Sequence, residues 1–249
     1  FLQLKRTNLG KKELSCDSVF VANIGFGKKI KRYINCNTIS LGFFKNNFVK
    51  VSKKIIKKKS ILFISQFREY QVKRNNLKKD YFFVEKKILP LIKNFCEVNG
   101  YSFFILGCSK NSKLEEKYFA SILNYSNFKF KKKLEFPNNY QFIDKFDVVA
   151  FIDSTLGYEA ISRKKKVAVF SCRKMSKKSE SEKFGWPLKY PDKGLFYSNQ
   201  GFKLEETFRI LNNVTQISQK NWNKKVLPQL KEIAFYKYKN SILKNKIYK

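Results

Sequence analysis

Residues 147–171 read DVVAFIDSTLGYEAISRKKKVAVFS, and this stretch indicates the class of fold. Residues 147–152 form a nearly continuous apolar run, which is typical of a strand buried on both faces of a parallel sheet. Apolar residues with helical spacing follow over 156–163, and a second apolar run covers 167–170. A strand, a turn, a short helix and another strand in this order predict a right-handed parallel crossover.

The turn between this strand and helix, Asp153-Ser154-Thr155, is the first candidate binding site. The first backbone N–H groups of a helix have no partner inside the helix, and the peptide dipoles add partial positive charge, so phosphate oxygens fit there. Ser154 and Thr155 can add hydroxyl donors, and Gly157 lacks the Cβ that would keep a ligand away. Alternatively, Ser154 or Thr155 only caps the helix and Gly157 only packs against the sheet.

Glu159 lies one helical turn beyond this candidate phosphate site. Its carboxylate can accept hydrogen bonds from both hydroxyls of a ribose whose diphosphate lies at the turn. The alternative is an acidic residue early in a helix, which interacts favourably with the helix dipole. The pattern therefore predicts a nucleoside diphosphate site, with the structural alternative still open.

Two further stretches accompany residues 153–160: the basic run Lys164-Lys165-Lys166 and the later Phe184-Gly185-Trp186-Pro187. Together these residues resemble bacterial surface-carbohydrate (O-antigen or lipopolysaccharide) biosynthesis proteins. The serine-threonine turn followed by a Glu-Ala helix is similar, more loosely, to the donor half of GT-B glycosyltransferases, to capsule Kdo transferases and to sugar-nucleotide 2-epimerases. The resemblance covers about residues 15–215 and implies that the turn holds the donor phosphates and Glu159 the ribose.

The resemblance implies an α/β protein in which a Rossmann-like parallel sheet is flanked by helices, GT-B-like, with an incomplete N-terminal domain. We expect residues 1–50 to be the end of that truncated domain, 51–215 the C-terminal nucleotide-sugar-binding domain and 216–249 a basic helical tail. The first residue is Phe1, and a complete enzyme of this type would need about a hundred more residues before it.

The implied activity is transfer of a sugar from a nucleotide-sugar donor during surface polysaccharide synthesis. The expected partners are the nucleotide sugar, a lipid-linked or glycan acceptor and the anionic inner-membrane surface, with the protein cytoplasmic and peripheral to the membrane. Two alternatives stay open: a sugar-nucleotide epimerase that shares the donor turn, and a non-enzymatic protein that binds polyanions or nucleic acid.

The net charge of +34 favours the last of these alternatives. However, lysines are scattered over the whole chain, and Lys, Asn, Phe, Ile and Tyr, which have A/T-rich codons, are abundant together. No RNA-recognition or helix-turn-helix signature accompanies them. We therefore attribute the charge to coding bias plus attraction to anionic membrane, nucleotide and lipid diphosphate, and do not expect nucleic acid as a partner.

The chain has five cysteines without CxxC spacing and no histidine. Unpatterned cysteines in odd number favour a reducing cytoplasm over a disulfide framework or a zinc site. Without histidine, proton transfer must use carboxylates, lysine, arginine or tyrosine, and the general base is not identifiable. No DxD metal motif is present, so we expect neither a metal nor a cofactor, with the nucleotide sugar acting as a substrate.

Other candidate donor contacts lie in loops at the carboxyl ends of predicted strands, where ligands of open parallel sheets bind. They are Arg68, Arg173 and Lys174 for phosphate, and Gln66, Gly107 and Trp186 for base or sugar. The cations are predicted to provide positive charge beside the diphosphate. For each cation the alternative is a solvated surface loop, and for Trp186 it is packing beneath the loop.

Four other stretches carry predictions. Gly25-Phe26-Gly27 has two glycines of a dinucleotide fingerprint, but Ile30 stands where the third would be, so no cofactor is expected there. Residues 45–60, rich in lysine, are the predicted linker. A helix is predicted over 80–99, with a kink at Pro90. Residues 217–249 form helices that either lie on anionic lipid or pack back across the first domain.

Overall fold

The computed structural model describes residues 14–52, 57–70, 82–125, 127–173, 183–200 and 202–247, and contains two parallel sheets. The smaller sheet consists of β1 (Ser15–Val21) and β2 (Asn35–Ser40), connected by helix α1 (Ile24–Ile30). It precedes the larger sheet in the chain and lies against the carboxyl edge of that sheet, where the two enclose a cleft.

Helix α1 accounts for the two glycines of the apparent dinucleotide fingerprint. The helix begins at Asn23, whose side chain accepts a hydrogen bond from the Phe26 N–H group at 2.9 Å. Gly25 and Gly27 therefore lie inside the helix and not in a loop before it. A Cβ on Gly27 would lie 2.9 Å from the Thr38 hydroxyl, so this glycine permits close packing of α1 on β2.

The larger sheet has six parallel strands: β3 (Lys57–Ile64), β4 (Ser102–Leu106), β5 (Lys129–Lys131), β6 (Phe146–Phe151), β7 (Lys166–Phe170) and β8 (Tyr197–Ser198). Their order across the sheet is β5-β4-β3-β6-β7-β8. This is the doubly wound order of a Rossmann fold, in which ligands bind outside the carboxyl ends of the strands. The prediction of a Rossmann-like parallel sheet is confirmed.

Helices flank this sheet and close the core. The regular ones are α2 (Phe83–Asn99), α3 (Ser112–Ile122), α4 (Asn138–Asp144), α5 (Thr155–Ser162) and α6 (Leu204–Gln216). Pro90 lies inside α2, as expected, and Gly100 ends the helix in the left-handed region at φ 67°. Shorter helical turns follow at Gln219–Asn221, Trp222–Val226, Leu227–Leu230 and Tyr238–Asn240, and helix α7 covers Ser241–Ile247.

The strands β6 and β7 form the centre of the core, as the apolar runs at 147–152 and 167–170 predict. Val148, Val149, Ala150 and Phe151 are fully buried. Removing each large apolar side chain of this kind from water contributes about 1.5–3 kcal/mol. The short strand β8 is not predicted from the sequence, because two residues are too few for a periodic pattern.

The prediction that residues 45–60 form a solvated linker is confirmed in part: the stretch connects the two sheets and its described lysines are exposed, but its asparagines are packed and its end belongs to a strand. Asn46 and Asn47 are completely buried, and the Asn46 amide donates to the Ser162 hydroxyl at 2.7 Å. Residues from Lys57 onward belong to β3. The lysine-rich sequence suggested solvent exposure throughout, but asparagine side chains can be buried at little cost once their amides are hydrogen-bonded. Residues 53–56 lie outside the described part of the chain.

The segment that follows α6 packs back across the first domain, which was one of the two alternatives for residues 217–249. The Tyr236 hydroxyl donates to the Val49 carbonyl at 3.0 Å, and the Lys237 N–H group donates to the Asn47 side chain at 3.1 Å. Asn240 is 3% exposed, and its side-chain amide donates to the carbonyl of Phe44. Within the described residues, every helix is too short or too polar to cross a membrane.

Candidate functional site

The turn after β6 leads into α5, whose first N–H groups have no acceptor within the helix. Ser154 precedes the helix with extended backbone (φ −68°, ψ 131°), and its side chain makes no capping hydrogen bond. Its carbonyl accepts from the N–H groups of Gly157 at 3.0 Å and Tyr158 at 3.2 Å, so the hydrogen bonding of the helix begins with these groups. The N–H groups before them have no partner within the helix. The capping alternative is therefore not realised by Ser154.

Gly157 is explained by packing. A Cβ at this position would lie 2.2–2.5 Å from ring carbons of Phe151, which is too close for any real contact. The Gly157 N–H group is also already bonded to Ser154. We therefore correct the assignment of Gly157 as a phosphate contact: the glycine lets α5 lie close to β6.

A cavity of about 350 Å³ lies where the carboxyl edge of the large sheet faces the small sheet. Asp153, Thr155 and Ser171 line it from the large sheet, and Asn23, Phe26 and Trp186 are among the residues on its other walls. The rings of Trp186 and Phe26 meet edge-on, with their centres 5.6 Å apart. The Lys29 ammonium lies 4.4 Å from the centre of the Trp186 ring. Trp186 thus forms part of a wall of the cleft and packs against α1.

A second cavity, of about 550 Å³, adjoins the first and shares Ala22 and Phe43 with it. Glu159 and Lys45 are the charged residues among its described lining, which is otherwise apolar. Glu159 accepts a hydrogen bond from the Tyr140 hydroxyl at 3.1 Å. Burial raises the pKa of Glu159 to about 7, although the Tyr140 hydrogen bond and nearby positive charges act in the opposite direction.

Arg173 does not occupy the position expected of a loop residue that closes over phosphate. Its side chain is 2% exposed and donates to Glu85 at 2.5 and 3.2 Å and to Asp153 at 2.8 Å. Burial raises the pKa of Glu85, and the Arg173 charge opposes that rise. We therefore correct the assignment of Arg173: it links the ends of β6 and β7 to α2. Lys174 lies outside the described residues.

Gln66 belongs to the same buried group. Its side-chain oxygen accepts from the Asp153 N–H group and from Arg173, both at 3.3 Å. Arg68, two residues further on, is exposed, and its guanidinium lies 3.3 Å from the Phe67 carbonyl and 3.9 Å from the Cys108 sulfur. Gln66 thus supports the sheet edge, whereas Arg68 stays a predicted phosphate contact.

The turn after β4 is filled by an acidic residue of the protein itself. Glu115 is completely buried and accepts from the Cys108 N–H group at 3.0 Å and the Ser109 N–H group at 2.9 Å. It also accepts from the Ser65 hydroxyl at 2.5 Å. A Cβ on Gly107 would lie 2.8 Å from its carboxylate, so close packing on Glu115 explains this glycine. This packing does not support the prediction that Gly107 contacts the base or the sugar, which stays a prediction.

Sequence reasoning missed the ion pair that fixes the end of α5. Arg163 is 1% exposed and donates to both carboxylate oxygens of Asp144, at 2.8 and 2.5 Å. It also donates to the Asn46 side chain at 2.8 Å and the Val49 carbonyl at 3.0 Å. One sequence signal could have indicated this ion pair: Arg163 is an arginine at the end of a predicted helix, in a chain whose basic residues are mostly lysine. Arg163 thereby joins α5 to the connection between the two sheets.

Comparisons with known proteins give a family and a fold. The family described as "putative O-antigen biosynthesis protein" matches residues 3–249. No curated protein matches the chain. The wall teichoic acid polymerase TagF is 12% identical, with 93% of this chain and 57% of TagF covered and a TM-score of 0.50. At this identity the likeness concerns the fold, which is GT-B-like.

Two further solved structures give similar values. Staphylococcus aureus TarM, solved with UDP among its ligands, is 17% identical over 93% of this chain and 43% of its own, with a TM-score of 0.49. The pneumococcal O-GlcNAc transferase GtfA, solved with UDP and GlcNAc, is 15% identical over 93% and 44%, with a TM-score of 0.48. The chain thus spans between 43% and 57% of the length of these three proteins.

Proposed function

Because this chain belongs to the family of O-antigen biosynthesis proteins, we propose that it transfers a sugar from a nucleotide-sugar donor to a growing surface glycan. The observation that supports this most is the position of α5. Its first turn opens into one cavity of the cleft at Thr155, and Glu159, one turn later, faces the adjoining cavity. A donor diphosphate at the first turn would therefore have its ribose beside a carboxylate.

The proposed donor site uses backbone groups and a few side chains. The N–H groups at the start of α5, which have no partner within the helix, and the hydroxyls of Ser154 and Thr155 hold the diphosphate. Glu159 accepts from the ribose hydroxyls. Arg68 and Lys174 supply positive charge for the leaving diphosphate, a form of stabilisation that commonly contributes most to catalysis. No group of three or more potential metal ligands occurs among the described residues.

The domain division proposed from the sequence assigns a role in this reaction to each part of the chain. Residues 1–50 would belong to the acceptor-side domain, 51–215 to the donor domain and 216–249 to a tail that packs across the first. With a net charge of +34, the protein would be attracted to the anionic inner face of the membrane, where lipid-linked acceptors lie. Peripheral association there, on the cytoplasmic side, is part of the proposal.

The donor site is tested by replacing Glu159 with alanine. Removal of the carboxylate leaves the ribose hydroxyls without their charged acceptor, so we expect nucleotide affinity to fall by about 1–3 kcal/mol, or roughly 5- to 150-fold. Calorimetric titration with UDP, CDP, GDP and their sugars measures this loss. Glu116→Ala is the matched control, because Glu116 is an exposed acid on α3, outside both cavities.

One outcome of these titrations would contradict the proposal. Weak binding of every polyanion, lost at moderate salt and equal in wild type and Glu159→Ala, would leave only a basic scaffold. Product analysis after incubation with a donor alone distinguishes a glycosyltransferase from an epimerase, because an epimerase converts the donor without an acceptor.

Nucleotide-sugar affinity should depend on pH through Glu159. The pKa of this carboxyl in the free protein is about 7, and ribose hydroxyls donate better to its ionised form. A ligand that prefers the ionised form binds more tightly as the pH rises, so affinity should increase between about pH 6 and pH 8. Nucleotide sugars suit the titration because their diphosphate diester does not titrate in this range. Glu159→Gln should remove the slope, and a wild type without a slope would contradict the assignment.

A further inference from the structure

Tyr140 holds Glu159 from the neighbouring helix. Its hydroxyl donates to the Glu159 carboxylate at 3.1 Å, across the contact between α4 and α5. Tyr140 is only 3% exposed, whereas Glu159 is partly exposed and lines the second cavity of the cleft. The pair therefore consists of a buried donor and an acceptor on the wall of a cavity.

The ring of Tyr140 is fixed by contacts of its own. The Arg163 guanidinium lies 5.4 Å from the ring centre, and Phe136 meets the ring edge-on with the two centres 6.2 Å apart. Arg163 is in turn bonded to Asp144. Each partner of this ion pair lies about one helical turn after its counterpart in the Tyr140–Glu159 pair. Two successive links therefore join α4 to α5, and they fix the position of the Tyr140 hydroxyl.

Charged and titratable groups face Glu159 from three directions. Tyr140 approaches from α4, Arg163 from the end of α5 and Lys45 from the connection between the two sheets. Burial raises the pKa of Glu159, and the Tyr140 hydrogen bond, Arg163 and Lys45 act against that rise, in this order. Arg163 is also bonded to Asp144, and Lys45 is exposed to solvent. Removal of the Tyr140 hydroxyl is therefore the change that acts on Glu159 without altering any charge around it.

We infer that Tyr140 is a positioning residue of the donor site: its hydroxyl holds the Glu159 carboxylate in place for the ribose hydroxyls of the nucleotide sugar. This inference rests on the proposed donor site and adds the residue on which its ribose contact depends. A carboxylate has about four acceptor positions on its two oxygens, so one hydrogen bond from Tyr140 leaves capacity for the ribose. Because a hydroxyl donates more strongly to an ionised carboxylate than to a neutral acid, the same contact favours the ionised form.

The experiment measures the affinity of wild type and Tyr140→Phe for nucleotide sugars as a function of pH, by calorimetric titration. Phenylalanine keeps the ring beside Arg163 and Phe136 and removes only the donor. The ionised carboxylate is then less stable, so the rise of affinity with pH should move upward by about one pH unit. At pH 7 the affinity should be about fivefold below that of the wild type, and most of this difference should vanish by about pH 8.5.

Tyr236→Phe is the matched control. The Tyr236 hydroxyl donates at 3.0 Å, but its acceptor is the uncharged carbonyl of Val49, and Tyr236 lines neither cavity. This variant also loses one tyrosine hydroxyl, so a general loosening of the fold would appear in it as well. Its pH profile should match that of the wild type.

A second variant at position 140 keeps the hydroxyl. In Tyr140→3-fluorotyrosine the fluorine makes the phenol a stronger hydrogen-bond donor, so the ionised form of Glu159 gains stability. The profile of this variant should move to lower pH, opposite to that of Tyr140→Phe. If Tyr140→Phe does not fold, the direction of this second shift decides, and an unchanged profile or an upward shift would overturn the inference.

The profiles separate the role of Tyr140 from the donor site itself. Binding by the wild type with the expected slope, together with an unshifted profile in Tyr140→Phe or an equal shift in Tyr236→Phe, would overturn the role of Tyr140 and leave the donor site standing. Wild-type binding without a slope would overturn the assignment of Glu159 and the inference with it. Failure of every nucleotide sugar to bind to the wild type would overturn the donor site as a whole.

Discussion

Replacing Arg163 with methionine should lower the free energy of unfolding by about 3–5 kcal/mol, because it leaves the buried charge of Asp144 without its partner. The side chain of Asp144 is 1% exposed, and that of Arg163 is fully buried. The substitution also removes the donors to the Asn46 side chain and the Val49 carbonyl. Methionine retains much of the side-chain volume, so the loss reports mainly on charge and hydrogen bonds.

Urea denaturation followed by circular dichroism measures this loss. The matched control is Arg209→Met, because Arg209 is 38% exposed, pairs with Glu206 at 2.8 Å within α6 and also donates to the Gly194 carbonyl at 2.9 Å. Since water reaches this pair, we expect its loss to cost about 1–2 kcal/mol, less than the loss of the fully buried pair. Addition of Asp144→Asn to Arg163→Met should recover part of the loss, since the uncompensated charge is then gone. Equal losses in Arg163→Met and Arg209→Met would contradict the role assigned to the buried pair.

The strand, turn and helix at 147–163 could be predicted because local signals and the final fold agree there. The apolar run became the buried strand β6, and the polar turn came to lie at the carboxyl edge of the sheet. The position of the first turn of α5, which faces the small sheet across a cleft, could not be predicted from this local pattern, because it depends on the order of the strands.

The buried ionic groups could not be predicted, because their partners are far apart in the sequence. Arg173 looked like a loop cation next to the phosphate turn, but its partner Glu85 lies 88 residues earlier in the chain. Asn46 looked like part of a linker, but it meets Ser162 across 116 residues. In a chain this rich in lysine, charge alone does not distinguish a solvated cation from a buried one. Only the fold pairs such groups.

Glu115, at the turn after β4, is another buried charged residue whose role depends on the fold. Replacing it with alanine should lower the free energy of unfolding by about 3–5 kcal/mol. The variant leaves the N–H groups of Cys108 and Ser109 and the Ser65 hydroxyl without their shared acceptor. Each unsatisfied buried donor costs about 1–3 kcal/mol, and water entering the space left by the side chain would offset part of the sum. Glu116→Ala, on the exposed side of the same helix, should change stability by about 0.5 kcal/mol or less.

Sulfate provides a second measurement on the same pair of variants. Two adjacent backbone N–H groups that have lost their carboxylate resemble the concave amide sites that bind anions. Sulfate should therefore raise the melting temperature of Glu115→Ala by more than it raises that of Glu116→Ala, in which Glu115 still occupies the turn. Sulfate stabilises most proteins by exclusion from their surface, so the difference between the two increments is the informative quantity. A loss in Glu115→Ala no greater than in Glu116→Ala would contradict the assignment, since the N–H groups would then not depend on this carboxylate.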